Sequence, residues 1–296
     1  MANAINPTTH LFSTPYITST EYRNAPTSID IDNLVFNSID PDAQENELTN
    51  VIARASSWID TFCNQVLSAT HETENQRTRI SSDGYIKFHP RYNPIIALTA
   101  FSYGYPSTNM ITVSDVSSAW VEDQQILFPY ANSAYSTSQG PLQFGYPTGS
   151  GGQVYIKYTY VTGYVNSLIN TAVATQSTLT VTNADGIIAG LEMKIYDGIY
   201  SENVTVASTY TFGSNTVPLT SPLLYSHTAG VSISALPPAI KEAAILVTTA
   251  FLKVRGDNSL VMGVGTQPSQ TVEGSQKLGT EIAMAQQLLM PYRRIR

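Results

Sequence analysis

Residues 42–67 read DAQENELTNVIARASSWIDTFCNQVL. Apolar side chains fall at Leu48, Ile52, Ala55, Ile59, Phe62 (with Cys63) and Val66. Spacings that alternate between four and three residues are the period of an α-helix with one apolar stripe. Thr49, Arg54, Ser57, Asp60 and Gln65 occupy the other face, which is expected to meet solvent or a neighbouring subunit. Asp42 is the expected N-cap, and Glu45 and Glu47 place negative charge in the first turn, where the helix dipole favours it. No catalytic pattern lies in this stretch.

Two further stretches repeat the helical period. PPAIKEAAILVTTAFLKVRGD carries Ile240, Ala243, Ala244, Val247, Phe251 and Val254 on one stripe, with Pro238 in the first turn and Gly256 as the stop. A third helix is expected from about 275 to 290, with Leu278, Ile282, Ala285 and Leu289 in phase and Pro291 ending it. A short helix is expected around residues 19–23, capped by Ser19 or Thr20 and stopped by Pro26.

Between the helices the period changes to two. From Arg77 onward TRI and YIKF flank an Asp83-Gly84 turn signal. IIALTAFSYG (95–104), MITV (110–113), AWVED (119–123) and QILFPY (125–130) read as strands. Residues 131–152 read as a long loop. In GQVYIKYTYVTGYV (152–165) Val154, Ile156, Tyr158 and Tyr160 share one face, and Tyr155, Lys157 and Thr159 the other. Residues 166–236 hold about five short strands at spacings near ten residues, the mark of a small sandwich or barrel.

The expected fold is therefore α+β. It has a small helical core (helices near 42–67, 238–255 and 275–290), a β-hairpin and strand region, and an inserted small β-sandwich or barrel domain. The expected boundaries are an N-terminal arm over 1–17, a core of 18–165 with 237–296, and the insertion over 166–236. The simplest packing sets helix 42–67 against helix 238–255. Residues 256–274, with their glycines, read as a flexible loop.

Composition narrows the function. Charged residues are only 12% of the 296, and 18 are tyrosines. Tyrosine combines an apolar ring with a hydrogen-bonding tip, so this balance suits half-buried strands and wet interfaces, or simply an ordinary β-rich protein. A net charge of −7 argues against broad nucleic-acid backbone binding, although not against a surface that nucleic acid passes. Cys63 is the sole cysteine, which excludes an intrachain disulfide, and its place on the apolar stripe marks it as a buried structural thiol. No apolar run reaches the roughly 20 residues of a membrane span, and the N-terminus lacks the basic and apolar regions of a signal peptide. The expectation is a chain made and folded in a cytoplasm.

Chemistry-bearing motifs are absent. His10, His71, His89 and His227 share no metal-ligand spacing. Gly263-Val-Gly265 and the glycines of 149–152 lack the helix that follows a phosphate-binding loop. Asp83, Asp115, Glu122 and Asp123 suit strand edges and turns as well as paired catalysis. Asn203-Val-Thr205 matches a glycosylation sequon, and with no export signal expected it is read as a chance match. No enzyme activity, cofactor or metal is expected. The tail YRRIR could bind phosphate, a membrane or a protein groove, and the helix dipole alone also favours cations there.

Several pieces, in order, resemble the head–tail connector (adaptor, or head-completion) proteins of tailed bacteriophages. They are Ala55-Ser56-Ser57-Trp58-Ile59-Asp60-Thr61-Phe62-Cys63, the turn at Asp83-Gly84, Asn93-Pro94-Ile95-Ile96-Ala97-Leu98, the helix PPAIKEAAILVTTAFL and the ending LLMPYRRIR. The resemblance covers about half the chain, and residues 166–236 fall outside it. It implies a non-enzymatic homo-oligomer, commonly a ring of twelve in the virion neck. Such a ring sits under the portal protein, extends a channel through which DNA passes without specific binding, and meets a neck or tail protein on its other side. The segment that reaches the portal maps here onto Leu288, Leu289, Tyr292, Arg293, Arg294 and Arg296. The alternative reading, from the tyrosine-rich β content, is a carbohydrate- or receptor-binding tail or adhesion protein.

Overall fold

The computed structural model describes residues 15–27, 29–32, 34–35, 38–81, 84–104, 109–122, 124–129, 153–255 and 280–294. The chain is α+β, with more strand than helix, and every described strand pair is antiparallel. It divides into two compact units, Ala69–Tyr164 and Met1–Ser68 with Val165–Arg296. This division differs from the boundaries read from the sequence, which joined the strands up to 165 to the helices and set 166–236 apart. The strands of 69–164 close around their own core, whereas those after 165 are tied to the helices.

In the helical part of the second unit, α1 (Ser19–Asn24) is capped by Thr18. Glu21 closes the capping box by accepting from the Thr18 amide at 2.6 Å. The decisive helix, α2 (Pro41–Cys63), begins with Asp40 as N-cap and Pro41 in the first turn, not with Asp42. It stops four residues before the end of the expected 42–67 helix, because Asn64 turns left-handed (φ 57°) and the Gln65 amide bonds back to the Asp60 carbonyl. Leu48, Ile52, Ala55, Ile59 and Cys63 are buried, as the stripe predicts. α2 packs on α3 (Pro238–Arg255), whose Ile240, Ala243, Ala244 and Val247 are buried. The last helix, α4, is described over 280–289; Ala285 and Leu289 are buried and Ile282 is half-buried. No described helix is long and apolar enough to cross a membrane.

The same unit holds β8 (Asn166–Leu168), β9 (Thr178–Thr180), β10 (Glu192–Tyr196), β11 (Glu202–Thr205), β12 (Thr216–Pro218) and β13 (Ser232–Ser234). They form a four-stranded sheet, β11-β10-β13-β8, and a β12-β9 pair. One apolar cluster lies between them, with Ile169, Val181, Ile187, Ile195, Val206, Val217 and Ile233 among its members. The five strands expected here are present, and a sixth pairs residues 166–168 with β13.

The 69–164 unit contains β1 (Thr70–Arg79), β2 (Tyr85–Phe88), β3 (Ile95–Gly104), β4 (Met110–Val113), β5 (Trp120–Glu122), β6 (Gln125–Pro129) and β7 (Gln153–Thr162). Its sheets are β1-β7-β3-β4 and β2-β6-β5. Val154, Ile156, Tyr158 and Tyr160 of β7 are buried, matching the face read from their alternation, and pack with Phe88, Phe101, Ile126 and Phe128. Gly84 takes φ 83° in the β1–β2 turn, a conformation open to glycine. β1 starts seven residues before Arg77, where the sequence changes period. Its ten residues pair with the whole of β7, from Thr70 opposite Thr162 to Arg79 opposite Gln153. The loops expected at 131–152 and 256–274 lie outside the described residues.

Candidate functional site

The tail residues singled out from the sequence converge on the end of α2. The fully buried Leu289 anchors α4, while Leu288 is half-buried. The chain then turns through Met290–Tyr292. The Gln65 side-chain amide donates to the Tyr292 carbonyl at 2.9 Å, and the Arg294 amide donates to the Cys63 carbonyl at 2.9 Å. The last carbonyls of a helix lack intrahelical partners, so the tail supplies one. The Arg293 guanidinium lies 5.3 Å from the centre of the Phe62 ring, and Phe62 stacks on Trp58 at 5.5 Å with the planes 6° apart. Arg293 is exposed, and Tyr292 and Arg294 are half-buried. Arg296 lies outside the described residues. Burial, and secondarily the Asp60 charge, push the Cys63 thiol up to about 12, so it is an inert core group.

Asp60 departs from the expected solvent or subunit face. It accepts a hydrogen bond from the Tyr16 hydroxyl, which itself accepts from the Leu67 amide at 2.9 Å. Burial drives its carboxyl up to about 7, against the opposing hydrogen bonds from Tyr16 and the Leu67 amide. Arg54, from the same expected face, pairs with Glu47 of its own helix at 3.1 Å.

Two charged clusters escape any sequence motif. Lys241, at the start of α3, is buried. Its ammonium meets Glu21 of α1 at 2.6 Å and Ser232 of β13 at 3.1 Å, and lies 4.1 Å from the centre of the Tyr196 ring on β10. Burial lowers its affinity for a proton, and Glu21 opposes this. One side chain thus joins helices to strands. In the second cluster His227 is buried between two carboxylates. Nδ1 lies 2.8 Å from Asp197 and Nε2 lies 2.8 Å from Glu202. Burial raises the Glu202 carboxyl, but the Leu224 and Tyr225 amides and the His227 ring outweigh it and hold it below the usual range.

These bonds fix the loops at 173–176, 197–202 and 223–227 against one another. The Ala174 amide donates to Ser226 and the Leu223 amide to the Gln176 carbonyl, each at 2.9 Å. On them stand exposed apolar side chains: Val173, Ile199 (86% exposed), Leu224 (72%), and Tyr200 and Tyr225, whose rings are 5.5 Å apart. Asp197, Glu202 and His227 are too far apart in sequence for any spacing rule to unite them; an isolated histidine in a strand-rich run is their only signal.

The other candidates separate. Asp115 is exposed and held below the usual carboxylate range by the Ser117 hydroxyl and amide, and Glu122 is exposed on β5. His71 and His89 are exposed on or just after strands, and Asn203 lies on β11. His10, Asp83, Asp123, the glycines of 149–152, Gly263 and Gly265 lie outside the described residues. Among the described residues no group of three His, Cys, Asp or Glu side chains is placed to hold a metal ion. No family model, curated protein or solved structure matches the chain.

Proposed function

We propose that this protein is a structural head-to-tail adaptor of a tailed phage, a non-enzymatic homo-oligomeric ring in the virion neck. It would sit beneath the portal, continue the DNA channel and meet a neck or tail protein on its far side; residues 166–236 would form an inserted small β-sandwich or barrel. The observation that carries the reading is the tail's seat on α2. Leu289, the Gln65 side-chain amide on the Tyr292 carbonyl and the Arg294 amide on the Cys63 carbonyl hold the tail, while the exposed Arg293 with the half-buried Tyr292 and Trp58–Phe62 stack forms an aromatic and cationic contact. Such contacts are typical of interface anchors.

The test measures the mass of the protein alone and with a portal protein, for the natural chain and for Arg293→Glu with Tyr292→Ala. These substitutions spare Leu289, so the fold is expected to survive. A portal-bound ring that the double variant fails to form supports the adaptor. A monomer indifferent to the portal refutes it.

The receptor-binding alternative has its own support in the exposed Ile199, Tyr200, Leu224 and Tyr225 on their rigid loops. Retention on a glycan array, lost with Tyr200→Ala and Tyr225→Ala, would favour it.

A further inference from the structure

The strand β1 reads THETENQRTR, and its alternation sorts charge by sign. Glu72 and Glu74 share one face: Glu72 is buried, and Glu74 accepts from the Tyr158 and Tyr160 hydroxyls at 2.9 and 2.6 Å. Arg77 and Arg79 are exposed on the other face. The register sets Arg77 opposite Tyr155, with its guanidinium 4.6 Å from that ring's centre, and Asn75 opposite Lys157. Lys157, also exposed, is flanked on β3 by Ser102. Hydroxyl pairs extend the surface: Thr73 with Thr159 at 2.9 Å and Ser102 with Thr112 at 3.2 Å. The strand positions that share this face hold no Asp or Glu, and no described carboxylate pairs with Arg77, Arg79 or Lys157. In a chain of net charge −7 this is a locally cationic, hydroxyl-rich face.

We infer that this face of the β1-β7-β3-β4 sheet contacts the phosphate backbone of double-stranded DNA, weakly and without sequence preference. Charge selects a polyanion. Short hydroxyl and amide side chains suit phosphate and sugar oxygens, which take much of the hydrogen bonding in DNA complexes. A membrane surface is disfavoured, because binding there rests largely on inserted apolar side chains, and this face offers polar ones. Three cations support only the weak, salt-sensitive binding typical of non-specific contact, which permits sliding. The acidity of the whole chain and the basicity of one face are thus compatible. The inference stands on the charges of residues 69–164 and does not require the adaptor reading.

The test is fluorescence anisotropy of a labelled random-sequence duplex titrated with the full chain, at salt from about 50 to 200 mM. Three neutralised phosphates predict a slope of log K on log salt near −2.7, and so roughly a 40-fold loss of affinity over that range. Arg79→Gln with Lys157→Gln, both exposed, should bring the slope toward about −0.9. Arg77→Gln is held back as a third step, since its ring contact also packs Tyr155. Arg54→Gln with Lys253→Gln, on α2 and α3 and so outside this unit, should change nothing. Absence of binding at the lowest salt overturns the inference. So does an unchanged slope in a double variant with native melting temperature, or tighter binding to phosphatidylserine vesicles than to the duplex. Failure here leaves portal attachment unaffected, so the two ideas fall separately.

Discussion

Asp60 makes the stability of the helical unit depend on pH in an unusual window. Its folded carboxyl titrates near 7, against about 3.8 when unfolded. A raised carboxyl favours the folded state while protonated. Its contribution is complete below the unfolded value and is lost as pH rises through the folded one. From pH 5 to pH 8 the unfolded chain gives up almost all of its remaining proton while the folded one titrates. Integrating both curves gives a loss of about 2.6 kcal/mol. Carboxyls held low, such as Glu45 and Glu202, have finished titrating below this window, and the raised tyrosines titrate above it. Asp60→Asn keeps a polar partner for Tyr16 and removes the titration. The assay is urea unfolding at pH 5, 6, 7 and 8, followed by Trp58 emission in a Trp120→Phe background, since the chain has two tryptophans. The urea midpoint should fall with pH more steeply in the parent than in the Asn variant, with unchanged slopes. Parallel pH profiles for the two proteins would refute the assignment.

Leu289→Ala should cost about 3 kcal/mol in urea unfolding, because Leu289 is fully buried, whereas Leu288→Ala should cost under about 1 kcal/mol. Equal costs would show that α4 is seated on a different face. Lys241→Met alone leaves Glu21 as a buried carboxylate without its cation and should destabilise by about 3–5 kcal/mol; adding Glu21→Gln should recover much of that, as a double-mutant cycle would read. Cys63 should react with a thiol reagent at pH 8 no faster than the protein unfolds, and faster labelling under native conditions would contradict its burial.

The three helices and most strands were legible because their apolar residues recur with the helical or strand period. β7 is the clearest case: four inward residues at alternate positions are the four found in the core. β1 was legible only at its end. Its inward residues are mostly polar, and Glu74 is accommodated there by two tyrosine hydroxyls from β7, a compensation that no local pattern announces. The candidate site was legible in its composition and not in its geometry. The tail's leucines, tyrosine and arginines stand out in sequence. That Leu289 points inward while Arg293 lies over Phe62 depends on where α4 meets α2.

By itself the sequence determined the mixed fold, the α2 and α3 stripes, the inert setting of Cys63 and the lack of a recognisable catalytic motif. Periodicity and composition are local, and they are enough for these. Only the tertiary structure decided the division at 69 and 165, the seat of the tail, the pairing of Asp60 with Tyr16, and the clusters around Lys241 and His227. Each of these joins residues distant in sequence: Tyr16 to Asp60, Glu21 to Lys241, Asp197 and Glu202 to His227. A buried charge is stable only beside its partner, and which partner arrives is settled by how the elements pack.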